Sequence, residues 1–108
     1  MTKGEIWATA LQRSNGHEQH GERPAVIVAD AQSSLAIVVP CTSNLAALHF
    51  SHTLRISPTE GNGLTAPSIL LVFQLRAIDK KRLYQRIGVL EPAHVNELDK
   101  TLKAMLAL

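Results

Sequence analysis

At 108 residues the chain can bury one core without disulfides or metals but is too short to divide into two self-sufficient halves, so residues 1–108 are expected to form one domain. Apolar residues at 45% against 19% charged exclude a disordered chain, and a net charge of +2 is too small by itself to mark a nucleic-acid binder. The single cysteine, Cys41, excludes an internal disulfide, no export signal opens the chain, and no apolar run approaches the roughly 20 residues of a membrane span, so a soluble cytoplasmic protein is expected.

In chain order, Glu5-Ile6-Trp7-Ala8-Thr9-Ala10-Leu11 lacks a helical stripe, and its β-branched and aromatic members suit a first strand with Trp7 as a core anchor. Residues 12–22 carry Ser14, Asn15, Gly16 and Gly21 with almost nothing apolar, which predicts a surface loop. Ala25-Val26-Ile27-Val28-Ala29 and Leu35-Ala36-Ile37-Val38-Val39 are continuous apolar runs separated by polar residues, as expected of two core strands joined by a turn, with Pro40 closing the second. Residues 54–56 form a weaker strand candidate before a Pro58 and Gly61-Asn62-Gly63 loop, and residues 68–73 a further buried strand entered at Pro67. The pattern loosens over residues 74–78. Asp79 then suits the cap of a short helical turn through Lys80, Arg82 and Leu83, and residues 85–90 extend again. Beyond Pro92, Val95, Leu98, Leu102, Met105 and Leu106 recur at three-to-four spacing, which predicts a terminal amphipathic helix. About six short strands and one helix exclude the crossovers of an α/β sheet and favour a small β-barrel.

The polar residues concentrate at two places. The loop Gly16-His17-Glu18-Gln19-His20-Gly21-Glu22-Arg23-Pro24 gathers histidines, carboxylates and an arginine just before a buried strand; it reads either as an anion site or as a solvated loop in which Arg23 pairs with Glu18 or Glu22. Pro40-Cys41-Thr42-Ser43-Asn44 places hydroxyls where a strand leaves the core, suited either to hydrogen-bond a phosphate oxygen or to cap a turn. Gly16 and Gly21 argue against the helix that a zinc-protease histidine pair requires, so no metal is expected, and Cys41 beside an apolar strand reads as a small core residue. His49 and His52 are of a type that can serve as acid or base but read as surface residues. Arg76, Lys80, Lys81, Arg82 and Arg86 form a cationic run opposed only by Asp79, either a phosphate-attracting patch or a solvated turn. With one Trp, one Tyr and two Phe, at least two of them expected in the core, no exposed stacking platform is anticipated.

Taken together and in order, these segments resemble the MazF/PemK toxin family. Gly4-Glu5-Ile6-Trp7 resembles its first strand, and the Gly16 to Pro24 loop is similar to its Gly-x-Glu-Gln-x-Gly-x-Arg-Pro signature, with His17 as in the PemK-like branch. Val39-Pro40-Cys41-Thr42-Ser43 resembles its Pro-x-Thr strand end, and Gln74-Leu75-Arg76-Ala77-Ile78-Asp79-Lys80-Lys81-Arg82 a later family stretch. The resemblance implies a mainly β, SH3-like barrel with a C-terminal helix, a homodimer whose RNA groove crosses the interface, and control by a cognate antitoxin. It implies metal-independent, sequence-specific cleavage of single-stranded RNA by attack of the 2′-hydroxyl on the adjacent phosphorus, with no cofactor.

By the same resemblance Arg23, Thr42 and His17 are the catalytic candidates: Arg23 stabilises the phosphorane, Thr42 donates to a phosphate oxygen and His17 carries a proton. Glu18, Gln19, Ser43, Gln74, Arg76 and Lys80 are the RNA-binding candidates. Two departures stand out, since Phe73 occupies a position that is often acidic in the family and Leu71 one that is arginine in the PemK-like branch. They leave open an alternative, a non-catalytic toxin of the same fold comparable to gyrase poisons, because fold alone does not decide function.

Overall fold

The computed structural model describes residues 1–11 and 21–108. The strands are β1 (Glu5–Leu11), β2 (Gly21–Asp30), β3 (Leu35–Thr42), β4 (Thr53–Ile56), β5 (Ser68–Leu71), β6 (Arg76–Asp79) and β7 (Leu83–Val89), followed by the helix α1 (Pro92–Leu106). Short 3₁₀ turns occupy Leu45–His49, Val72–Gln74 and Lys80–Arg82. Neighbouring strands run antiparallel in the order β4-β5-β3-β2-β1-β7, with β6 also attached to β3.

β3 is the branch point. One edge pairs with β2; the other is divided, its first half pairing with β6 as far as Val38 and its last residues, Cys41 and Thr42, pairing with β5. Pro40 therefore does not end this strand as its sequence suggests, but lies inside it opposite Ala25. It is tolerated because it falls where β6 has ended and β5 has not begun, so its missing N–H interrupts neither ladder. β6 itself is absent from the sequence reading: a four-residue strand with only Ile78 buried carries no alternating signal and exists through its pairing with β3.

Because side chains alternate across a strand, β2 and β3 supply both faces of the sheet. Val26, Val39 and Cys41 join Ile6, Ile56, Leu70 and Val72 in the main core, which α1 covers with Leu98 and Leu102; Ala25, Ile27, Ala36 and Val38 build a second cluster with Leu11, Ile78 and Leu83. Burial on both sides is why these strands read as unbroken apolar runs. Trp7 packs at the edge of the second cluster, only partly buried, and its indole N–H donates to Glu5. The helix carries its expected stripe, with Val95 and Met105 flanking the buried leucines, but Leu106 is half exposed at the last turn before Ala107 takes a left-handed conformation. Asp79 caps its 3₁₀ turn as expected, its carboxylate accepting from Lys81 N–H at 2.9 Å.

The segment between β4 and β5 is fastened to the start of α1 by Asn62, which is fully buried. Its side-chain oxygen accepts from the N–H groups of Thr59 and Leu64, and its amide donates to the Ser57 carbonyl and the Glu91 carboxylate. Glu91 accepts from the Thr59 hydroxyl at 2.7 Å, chiefly for which reason its carboxyl is held below the ordinary range. Here the backbone crosses β7 at van der Waals distance: a Cβ on Gly63, whose φ is +68°, would meet the Ile87 carbonyl oxygen at 1.9 Å, and one on Gly88 would meet Asn62 backbone at 2.3 Å. Only glycine fits on either side of this crossing.

Asn62→Ala, which strands buried N–H groups, and Gly88→Ala, which forces the backbones apart, are each expected to lower unfolding free energy by about 2–4 kcal/mol in urea titrations. Gly61→Ala, whose added methyl meets only an ordinary contact 3.5 Å from Glu91, is expected to change it by less than about 0.5 kcal/mol. Since the folded pKa of Glu91 is depressed, its contribution is complete above the unfolded value near 4.5 and lost as pH falls through the lower folded value. The stability gap between the native chain and Glu91→Gln is thus expected at neutral pH and to close as pH falls from 4.5 through the lower folded value.

Candidate active site

The pairing of Ala25 with Pro40 sets the geometry of the site. Two residues from each, on the same side of the sheet, stand Arg23 near the start of β2 and Thr42 at the end of β3. Both line a cleft of about 330 Å³ that also takes in Glu22, Pro24 and Ser43 on the strand side and Gly63, Leu64, Thr65 and Ala66 opposite. The sequence reading proposed Arg23, Thr42 and Ser43 from two separate segments, and the register of β2 and β3 brings all three to one wall. The facing wall, residues 63–66, looked only like a connecting loop in the sequence, because the residues that place it do so through Asn62 and the β7 crossing.

Thr42 is 8% exposed, and its hydroxyl oxygen accepts from Asn44 N–H at 3.1 Å. Its lone pair is thereby engaged and its own proton is left to donate, as a phosphate oxygen requires. Asn44 in turn accepts from Ala46 N–H at 3.1 Å, so a nested pair of turns holds the residue after β3. Arg23 is exposed, and its guanidinium donates to the Glu22 carbonyl at 3.1 Å. Cys41, on the other face of β3, is fully buried, and burial pushes its thiol up to about 12, so it is a core residue with no nucleophilic character at neutral pH.

A second cleft, of about 620 Å³, opens on the other side of Thr42. Asn44, His49, Phe50, Leu71, Phe73 and Gln74 line it. Leu71 is buried against Ala47 and Ile69 beneath it, whereas Phe50 is 50% exposed and Phe73 38%. Tyr84 is also exposed, so the expectation that at least two of the four aromatics lie in the core is corrected: Trp7 is partly buried and the other three face solvent. The apolar run over residues 68–73 predicts one buried strand. The chain instead leaves β5 after Leu71 and turns through Val72–Gln74, which carries the Phe73 ring outward and brings Gln74 to the cleft.

The cationic candidates lie elsewhere. Lys80 ion-pairs with Asp30 at 2.6 Å, and its N–H donates to the Ser34 carbonyl beside the first residue of β3. Thr42 is at the far end of that eight-residue strand, about 24 Å away at ~3.4 Å per residue. Arg76 sits between the two, paired with Val38. Neither Lys80 nor Arg76 lines either cleft. His17, Glu18 and Gln19 lie outside the described residues, as does His20. Among the described residues no group of three or more His, Cys, Asp or Glu is placed to hold a metal, and no helix is long and apolar enough to cross a membrane.

The endoribonuclease MazF9 of Mycobacterium tuberculosis is 32% identical over an alignment that covers all of this chain and 98% of that protein. Endoribonuclease PemK of Escherichia coli is 36% identical over 75% of this chain and 62% of its own length. Among solved structures, MazF from Deinococcus radiodurans superposes with a TM-score of 0.81 at 22% identity, covering 98% of this chain and 96% of that one, and so shares the mainly β fold with its terminal helix. An endoribonuclease solved in complex with its cognate antitoxin, from a mycobacterial species, superposes with a TM-score of 0.72 at 18% identity over 98% of this chain and 94% of that one. Residues 2–106 match the family model described as PemK-like, MazF-like toxin of type II toxin-antitoxin system, and the chain belongs to that family.

Proposed function

We propose that this chain is the endoribonuclease toxin of a toxin-antitoxin pair, cleaving single-stranded RNA without a metal, acting as a homodimer and neutralised by a cognate antitoxin. The observation that carries the reading is the convergence of Arg23 and Thr42 on one cleft, in a chain whose relatives over its full length are named endoribonucleases.

In the proposed reaction the substrate's 2′-oxygen attacks the adjacent phosphorus, the bond from phosphorus to the 5′-oxygen breaks, and the products are a 2′,3′-cyclic phosphate and a free 5′-hydroxyl. The 2′-hydroxyl proton passes to a base and the departing 5′-oxygen receives one from an acid. Arg23 meets the negative charge that accumulates on the non-bridging oxygens of the crowded phosphate, a role suited to a planar, permanently charged donor. Thr42 donates its hydroxyl proton to a phosphate oxygen, held in orientation by Asn44 N–H. His17 is assigned the proton transfers because an imidazole can take up and release a proton near neutral pH, Glu18 and Gln19 are assigned RNA contacts, and Ser43 and Gln74 sit at the cleft edges as RNA contacts. Arg76 and Lys80 are left to more distant backbone phosphates. Because DNA lacks the attacking group, it is spared.

The alternative, a non-catalytic toxin, draws on Leu71 and Phe73. Both line the cleft beside Thr42, so a carboxylate or arginine the family places there is replaced by apolar surface within reach of the substrate. The Arg23 and Thr42 pair is untouched by either change.

Two substitutions test the proposal with a long single-stranded RNA in excess EDTA, followed by mapping of product ends. Arg23→Ala is expected to reduce cleavage at least ~10³-fold while leaving the fold intact, since the side chain is exposed; undiminished cleavage would falsify its role, and absence of cutting by the native protein would favour the non-catalytic toxin. Thr42→Val, which keeps the shape but removes the donor, is expected to reduce cleavage by about 10²-fold, with Thr42→Ser restoring most of it. Equal losses in both Thr42 variants would show that the hydroxyl is not the operative group.

A further inference from the structure

The larger cleft is lined by an uncommon set of surfaces for a face exposed to water. Phe50 and Phe73 present their rings at a centroid separation of 5.4 Å and an interplanar angle of 51°, an open V rather than a closed stack. Neither ring hangs on a loose segment. Phe50 N–H donates to the Ala47 carbonyl and its own carbonyl accepts from the Thr53 hydroxyl at 2.9 Å; Phe73 N–H donates to the His52 carbonyl, and the turn that carries it closes with Leu75 N–H on the Val72 carbonyl. The His49 ring lies against Phe50 at 4.1 Å, fixed by its contact with the Ala46 carbonyl. The rim carries the amide side chains of Asn44 and Gln74, and among the described residues the lining contains no carboxylate, lysine or arginine.

We propose that this cleft is a base-binding subsite, in which Phe73 and Phe50 stack an unpaired nucleobase of the RNA next to the phosphate being cleaved. The inference rests on the ribonuclease reading and extends it to substrate recognition. Its occupant is argued from chemistry and position. An uncharged, planar ring with a hydrogen-bonding edge matches aromatic walls with an amide rim, and it does not match a phosphate, which belongs with the arginine of the other cleft. Thr42 lines both clefts, so a phosphate held at its hydroxyl leaves the adjoining base at the mouth of the aromatic one. Single-stranded RNA is gripped in this way wherever its unstacked bases meet exposed aromatic side chains.

The test uses the full-length protein and a short single-stranded RNA with 2′-O-methyl riboses, which cannot be cut, followed by fluorescence anisotropy. Phe73→Ala is expected to weaken binding about 5- to 100-fold, the range seen when one base-stacking aromatic is removed; Phe73→Trp is expected to retain it, and Phe50→Ala to weaken it less. Removing bases one at a time from the RNA is expected to reveal a single position at which the native protein loses affinity and Phe73→Ala loses no more. Affinity unchanged by Phe73→Ala, or equal abasic losses in both proteins at every position, would overturn the proposal. So would a shift of Phe73→Ala from dimer to monomer in sedimentation with RNA affinity per folded dimer preserved, because the rings would then be covered by a second copy of the chain. A native protein that neither binds nor cuts any RNA sinks the ribonuclease reading as well; one that cuts normally while the Phe73 and abasic results are flat sinks only the base site.

Discussion

The close crossing of residues 61–63 over β7 is the constraint on which the site depends. Gly63 and Gly88 allow the two backbones to touch, Asn62 satisfies the polar groups that the crossing buries, and Glu91 ties the assembly to the first turn of α1. The residues immediately after it, 63–66, form the wall that faces Arg23 and Thr42. The cleft therefore has one wall made by strand register and another made by a buried amide network. A buried asparagine is costly unless its hydrogen bonds are made, and here the same four bonds that meet that requirement also position the wall.

The division of β3 is the second organising feature. A strand that changes partner midway must have a gap in one ladder, and the gap is where Pro40 is accommodated. Just beyond it, pairing with β5 holds Thr42 at the strand end, and the turns anchored by Asn44 carry the chain away at once. The hydroxyl is thus held by the Asn44 N–H from which it accepts, and its residue by backbone pairing with β5. Preorganisation of this kind is what a donor to a crowded phosphate requires, since no reorganisation then accompanies the reaction.

Division of labour between the two clefts follows from which side chains are charged. Arg23 stands on the smaller one, which suits it to the phosphate of the proposed reaction, and the larger one is aromatic with an amide rim. Leu71 and Phe73 line only the larger cleft. Leu71 is drawn into the core with Ile69 and Ala47, whereas Phe73, on the 3₁₀ turn, is turned outward.

What the sequence determined by itself was what local pattern and motif carry. The continuous apolar runs of β2 and β3, the stripe of α1 from Val95 to Met105, the Asp79 cap and the ordered motifs around Arg23 and Thr42 were legible because each is specified by neighbours within a few residues. The tertiary structure alone decided the rest: β6 as a strand, Pro40 as an interior residue, Phe73 as a surface ring and Lys80 as a partner of Asp30 remote from the site. Each of these depends on a contact between residues far apart in the chain. A hydrophobic pattern records that a residue prefers burial, but which edge of β3 is left open, and which turn swings a ring outward, is fixed only when the strands pair.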